Sequence, residues 1–337
     1  MMIVHSYPLA IALCVLTMIC WGSWANTLKM EPRSYSFSLF YWDQGLGYVL
    51  LPLIVGLTFG SFGTGGRPLL ADLGQGTAGS FEWALLGGAI WNLANILFMA
   101  ALDLAGMAVA YPIGIGIALV EGVLINYIAH SRGNPILIFG GVALIMLAII
   151  LDGLAYRNCQ KQTSVPGQLS KGVSLALAGG ILMGLFYYLV QRSLSQDFEH
   201  PAPGLFGPYA AVLVYCVGAL LSSIIFNTYM MSHPVRGPKT SFSDYFARGT
   251  FKCHAIGFLG GFINAIGVCS SFVASKEASP AIAYGLGQGG TMIAAIWGIC
   301  IWKETKGASK GTQLMIAAMF VFFLSGLTLL VSSMVQH

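Results

Sequence analysis

Ten runs of apolar residues follow one another with short polar gaps between them, near 7–28, 37–59, 81–102, 107–129, 134–154, 171–192, 205–230, 252–275, 280–302 and 311–335. Each is close to the ~20 residues that cross a hydrocarbon layer as helix. Inside such a layer the peptide groups must be bonded within the segment, so this pattern leaves little choice but helix. Only 8% of the 337 residues are charged and 56% are hydrophobic, with a mean hydropathy of +0.77. Soluble domains carry about 25% charged residues, so this chain has too few to cover a water-facing surface. The expectation is an all-α polytopic membrane protein with ten transmembrane helices, its lipid bilayer being the first partner. The leading run is too long for a signal-peptide core and has no basic flank, and it is read as a retained first span.

Other classes fall away quickly. A net charge of +4, dispersed along the chain, does not suggest nucleic acid. The seven cysteines form no CxxC and no Cys/His cluster, so no disulfide, metal or cofactor is expected. The glycine-rich gap 60–80 has no strand before it and no Lys after its glycines, so it is no phosphate cradle; it reads as a flexible external loop. An intramembrane enzyme would need a nucleophile–base pair or a carboxylate cluster at depth, and the runs offer none.

The runs are not independent of one another. Ala110-Tyr111-Pro112-Ile113-Gly114-Ile115-Gly116 returns as Ala283-Tyr284-Gly285-Leu286-Gly287-Gln288-Gly289, an offset of 284 − 111 = 173. The same offset pairs Leu86-Gly87-Gly88 with Leu259-Gly260-Gly261 and Ile90 with Ile263. Such a register marks an internal repeat. It superposes runs three and four on runs eight and nine, giving five per half: residues 1–158 and 171–337, joined by a loop at 159–170. An odd number of spans per copy inverts the second copy, an arrangement common among secondary transporters.

Lys and Arg fall unevenly between the two sets of gaps. Twelve lie after runs one, five, seven and nine or at their edges: Lys29, Arg33, Arg157, Lys161, Lys171, Arg236, Lys239, Arg248, Lys252, Lys303, Lys306 and Lys310. The remaining four of the sixteen are Arg67, Arg132, Arg192 and Lys276. Positive residues collect on the cytoplasmic side, which predicts both termini outside the cytoplasm of a bacterial inner or plasma membrane.

Polar side chains in hydrocarbon face the bundle interior or an aqueous cavity, so their positions outline a candidate substrate site: Trp24, Asn26, Trp91, Asn92, Asn95, Tyr111, Tyr187, Gln191, Asn264, Tyr284 and Gln288. Asn95 and Asn264 are read equally as plain interhelical hydrogen bonds. Trp21, Trp24, Tyr41 and Trp42 also fit an interfacial aromatic belt. Runs five and ten are apolar on nearly every face and are expected at the periphery, against lipid or a second copy in a homodimer. Pro112, Gly114, Gly116, Gly285, Gly287 and Gly289 are expected to break or loosen their helices and act as hinges. Glu121 follows the first of these breaks and has no basic residue at its depth, which suits a proton-coupling group; a structural hydrogen bond is the other reading. Asp43 is either a second coupling group or the partner of Lys29. With no Arg or Lys deep in a run, an anionic substrate is disfavoured.

Taken together, Trp21-Gly22-Ser23-Trp24 leading to Lys29, Phe40-Tyr41-Trp42-Asp43 and Pro112-Ile113-Gly114-Ile115-Gly116 resemble the drug/metabolite transporter superfamily. The branch they are most similar to holds bacterial glucose/ribose uptake proteins, rhamnose–proton symporters and plant ureide permeases, whose large central loop has no counterpart here. The resemblance implies a proton-coupled or facilitative carrier of a small neutral solute, and the expectation is a sugar or a nucleobase/ureide-like compound moved by proton symport with alternating access. Export of metabolites or amphipathic cations by proton antiport, with Glu121 as counter-charge, is the alternative.

Overall fold

Because a peptide group in hydrocarbon finds no water to bond, the long apolar runs close their hydrogen bonds as helices. The computed structural model describes residues 1–32, 35–159, 168–235 and 237–334. Its regular structure is helical, with one isolated parallel bridge between Leu194 and Phe206. The helices are α1 (Tyr7–Ser23), α2 (Phe37–Leu57), α3 (Leu69–Gln75), α4 (Ala78–Ala105), α5 (Met107–Ala129), α6 (Pro135–Cys159), α7 (Leu169–Gln191), α8 (Pro208–Ser232), α9 (Phe242–Arg248), α10 (Phe251–Ala278), α11 (Pro280–Gln288), α12 (Gly290–Ile296) and α13 (Lys310–Ser332). Two 3₁₀ turns extend α1 to Met30, and a π-helix, Trp297–Ile301, extends α12. Eight of these are long and apolar enough to cross a membrane: α1 with its extension, α4, α5, α6, α7, α8, α10 and α13. The chain is an integral multi-pass membrane protein. Of the other two expected runs, α2 carries Asp43 and Gln44 in its first half, and 280–302 is divided among α11, α12 and the π-helix.

The register read from the sequence recurs in the helix boundaries. The starts of α9, α10 and α11 lie 242 − 69, 251 − 78 and 280 − 107 residues after those of α3, α4 and α5, each difference being 173. Contacts run mostly between the halves rather than within them. α4 packs on α7 and α8, whereas α10 packs on α1 and α2; α6 lies along α13, α5 meets α7 and α11, and α2 meets α8. Small residues permit these approaches. A Cβ on Gly141 of α6 would come within 2.7 Å of the Gly326 carbonyl oxygen of α13, and one on Gly326 equally close to that of Gly141. In α6 and α13, the helices of runs five and ten, Ile136, Leu147, Leu314 and Val321 are exposed.

Contacts between loops define two ends of the bundle. At one, Gly66 N–H donates to the Glu199 carbonyl, Gln196 meets His130, and Asn134 N–H donates to the Ser333 carbonyl. At the other, Lys29 pairs with Glu304, and Trp302 Nε1–H donates to Asn26 Oδ1. Arg33, Lys161 and Arg236, used above for sidedness, and most of the loop 159–170 between the halves lie outside the described residues. The gap 60–80 is not the flexible loop expected. It contains α3, and Arg67 donates to Asp72 and to the carbonyls of Pro201, Ala202 and Leu205, which ties it down.

Candidate functional site

Aromatic rings from six helices form a continuous spine through the interior. Trp91 (α4) stacks on Tyr48 (α2) with centroids 5.0 Å apart, and Tyr48 donates through its hydroxyl to Tyr215 (α8) at 2.9 Å. Tyr215 stacks on Phe186 (α7) at 5.7 Å, and Phe186 meets Tyr187 and Tyr284 (α11) edge-on. Tyr187 in turn stacks on Phe272 (α10) at 4.3 Å. Its hydroxyl is 3.1 Å from Ser271 Oγ, and the Tyr284 hydroxyl donates to the Ala118 and Met183 carbonyls. Glycine makes this convergence sterically feasible, since a Cβ at Gly122 would meet the Tyr284 ring at 2.2 Å. Three expected site residues, Trp91, Tyr187 and Tyr284, thus lie in one packed cluster.

Beside the spine lies a hydrogen-bonded polar group. Tyr41 O–H donates to Asn92 Oδ1 at 2.9 Å, Asn95 Nδ2 donates to the Tyr41 oxygen at 2.9 Å, and Asn92 Nδ2 donates to Ser222 Oγ at 2.8 Å. Tyr41 is buried and belongs to no interfacial belt. The Asn95 bond joins α4 to α2, as the interhelical one of its two readings requires.

Trp21 is half-buried and packs between helices. Its indole occupies a slot between α10 and α11: a Cβ at Gly267 would meet Trp21 Cδ1 at 2.7 Å, and one at Gly287 would meet Cζ3 at 2.7 Å. The indole Nε1–H is buried without a hydrogen-bond partner, as are Nδ2 of Asn264 (one turn before Gly267) and Nε2 of Gln44 and Gln191. Buried donors of this kind each cost about 1–3 kcal/mol unless something bonds them. Gln288, also buried, follows Gly287 directly in α11. Trp24 packs with Tyr35, Leu39 and Phe40 near the Lys29 end, and Asn26 accepts from Trp302 there. Tyr111 meets Phe98 edge-on at 5.3 Å, away from Tyr284's surroundings.

The two carboxylates have different settings. Glu121 lies against α7, where a Cβ at Gly184 would stand 3.1 Å from its Oε2. Asp43 is completely buried, and its partner is not Lys29, which is held by Glu304 at 2.7 Å and lies over the Trp302 ring. Asp43 instead accepts from Tyr35 O–H at 2.7 Å and Tyr245 O–H at 2.5 Å, and pairs with His254 Nδ1 at 2.9 Å. These partners, together with Arg67 and Asp72 at the far end, were not apparent from the sequence. Extending the 173-residue register to 69–75 and 242–248 would have drawn attention to α3 and α9.

The expected helix breaks divide unequally. α5 runs unbroken through Pro112, Gly114 and Gly116, because Pro112 sits in its second turn and forfeits one bond near the helix start. Gly114 serves close packing there: a Cβ at Gly180 would stand 2.6 Å from its carbonyl oxygen. In the second copy the helix does stop, α11 ending at Gln288 with Gly289 between it and α12. Outside the spans, burial raises the Asp72 carboxyl, opposed by the Gly207 N–H and by Arg67, and burial lowers the His130 imidazole.

Comparison with known proteins agrees with this architecture. A crystal structure of another protein superposes with a TM-score of 0.59 over 95% of both chains at 13% identity, the same fold. Ureide permease 2 of Arabidopsis thaliana is 23% identical, with 99% of each chain covered. A Streptococcus pyogenes serotype M6 protein named for sugar uptake is 26% identical, over 85% of this chain and 98% of its own. The profile of the family described as "Sugar transport protein" matches residues 52–332, most of the length. This chain belongs to the sugar transport protein family.

Proposed function

We propose that the protein is a secondary carrier that moves a small neutral polar solute, a sugar or a nucleobase/ureide-like compound, by proton symport. In this reading the chain crosses the membrane ten times as two inverted five-helix halves, with both termini outside the cytoplasm. The halves rock against each other to give alternating access. The observation that carries the solute class is the group of unpaired buried amide and indole donors, Trp21, Gln44, Asn264 and Gln191, in an interior without Lys or Arg. Hydroxyls of a sugar or carbonyls of a ureide would bond them, and the neighbouring rings would stack on a flat face. Trp91, Asn92, Asn95, Tyr187, Tyr284 and Gln288 complete the site around them, with Trp24, Asn26 and Tyr111 towards its edges. Gly289, with Gly285 and Gly287 before it, serves as the flexible joint in the second half, while α5 runs unbroken through Pro112, Gly114 and Gly116 and moves as one piece.

Glu121 is the coupling group in this reading, with Asp43 a second one nearer the Lys29 end. Proteoliposomes with an imposed pH gradient provide the test. Glu121→Gln is expected to abolish accumulation of the solute while leaving counterflow exchange largely intact. Accumulation that survives the substitution removes Glu121 from the coupling role. Screening sugars, nucleosides and ureides for a thermal shift of the purified protein identifies the solute first, because a ligand that binds only the folded chain raises its melting temperature.

A further inference from the structure

Two short helices, α3 and α9, stand at equivalent places in the repeat and at opposite ends of the bundle. Each bonds across from its own half to the other. At the first end, Asp72 of α3 is buried and accepts from Gly207 N–H at 2.7 Å, while Arg67 bonds both Asp72 and the carbonyls of the segment 201–205. Gln75 of α3 adds two more bonds to that segment, donating to Leu205 O at 3.0 Å and accepting from Gly204 N–H at 2.6 Å. At the second end, Tyr245 of α9 and His254 of α10 hold Asp43 of α2, which Tyr35 also bonds. The residue in α9 at the place of Asp72 is 72 + 173 = 245, so the repeat sets a carboxylate acceptor at one end and a phenol donor at the other. In both cases a completely or nearly completely buried carboxylate is the centre of the junction. Breaking such a junction exposes or strands a charge-bearing group, which makes it a discrete two-state contact rather than a sliding one.

We propose that α3 and α9 are paired end latches, each closing one mouth of the transport path by clasping the opposite half. Opening one favours the closed state of the other. This rests on the alternating-access reading above and adds the contacts that enforce it. Arg67–Asp72 with the segment 201–207 is the latch of one mouth, and Tyr245–His254 with Asp43–Tyr35 is the latch of the other.

Thiol accessibility tests it without knowledge of the solute. Cys253, buried in the first turn of α10, reports on the α9 end, and a cysteine at Leu69, the buried first residue of α3, reports on the α3 end. Each is labelled with a maleimide in nanodiscs, the other cysteines having been replaced by alanine, and rates are normalised to the denatured chain at the same pH. Tyr245→Phe is expected to raise Cys253 labelling at least about tenfold, the effect of losing one hydrogen bond to a charged group, and to lower labelling at Leu69→Cys. Arg67→Gln is expected to do the reverse. A rise at the altered end with no fall at the far end, in both variants, is local fraying and overturns the proposal, as does no change at either end. If Tyr245→Phe does not yield monodisperse protein, Arg67→Gln carries the same two readouts alone. Reciprocal labelling in a protein that takes up none of the sugars or ureides offered would sustain the latches and defeat the assigned function; solute uptake without reciprocity would do the opposite.

Discussion

Gly106 and Ser279 hold the same unusual backbone conformation at equivalent joints, with φ/ψ of 78°/163° and 69°/150°. Each links two helices through a single residue, α4 to α5 and α10 to α11, and 279 − 106 is again 173. Glycine adopts this region freely, whereas a residue with a Cβ is strained there by about 1–3 kcal/mol. Ser279 recovers part of that by accepting from Ile282 N–H at 3.4 Å. Ser279→Gly is therefore expected to stabilise the protein by about 1 kcal/mol, and Gly106→Ala to destabilise it by about 1–3 kcal/mol. Melting temperatures in one detergent measure both, and a destabilised Ser279→Gly would contradict the strain.

Among the described residues, Gly88 and Gly261 make the tightest approaches to backbone of the other half. A Cβ would stand 2.0 Å from the Tyr215 carbonyl oxygen in the first case and 2.2 Å from that of Gln44 in the second. Both obstacles are backbone, which cannot swing aside. Alanine at either position is expected to cost about 1–3 kcal/mol through forced separation of the helices. Similar losses at both, read from thermal denaturation, would show that the two crossings carry equal weight.

At the end of α5, burial holds the His130 imidazole below its ordinary value, and its Nε2 lies 2.9 Å from the Gln196 amide. Below about pH 6.5 the unfolded chain takes up this proton before the folded one does. The His130 contribution to stability is thus complete above that pH and declines as the pH falls towards the lowered folded value. His130→Gln is expected to flatten the stability profile across that window in unfolding measurements. An unchanged slope assigns it to other groups.

Trp21 fits its slot only because Gly267 and Gly287 lack side chains. Gly267→Ala would push the ring off α10 and misplace its Nε1–H. With the solute identified, this variant is expected to raise KM severalfold while leaving the maximal rate of counterflow within about twofold, the signature of lost uniform binding. A fall in rate at constant KM would place Trp21 in the conformational step instead.

Much of the architecture could be read from the chain because it rests on local properties. The run 107–129 matches α5 residue for residue, and the 173-residue register anticipated the matched starts of α4 and α10. What could not be read was contact between distant residues. Lys29 meets Glu304 and Asp43 meets His254 across separations of 275 and 211 residues, and no periodicity links them. Aromatic placement was obscure for another reason. In helices apolar on all sides, nothing in the pattern tells a ring at the lipid interface from one between helices, and Trp21 and Tyr41 both pack between helices. The seven-residue helices α3 and α9 were hidden by their brevity, being too short to carry a periodic signal.

The contacts of α4 with α7 and α8, and of α10 with α1 and α2, have a consequence for biosynthesis. When the ribosome has released α4, the faces that will receive Gly87 and Gly88 have not yet been made. The helices inserted first must wait in the bilayer, loosely associated, until their partners arrive, and native packing becomes available only late in synthesis. Truncated chains ending near residue 160 should therefore be prey for membrane quality control, yet two fragments made separately in one cell have every surface needed to reassemble.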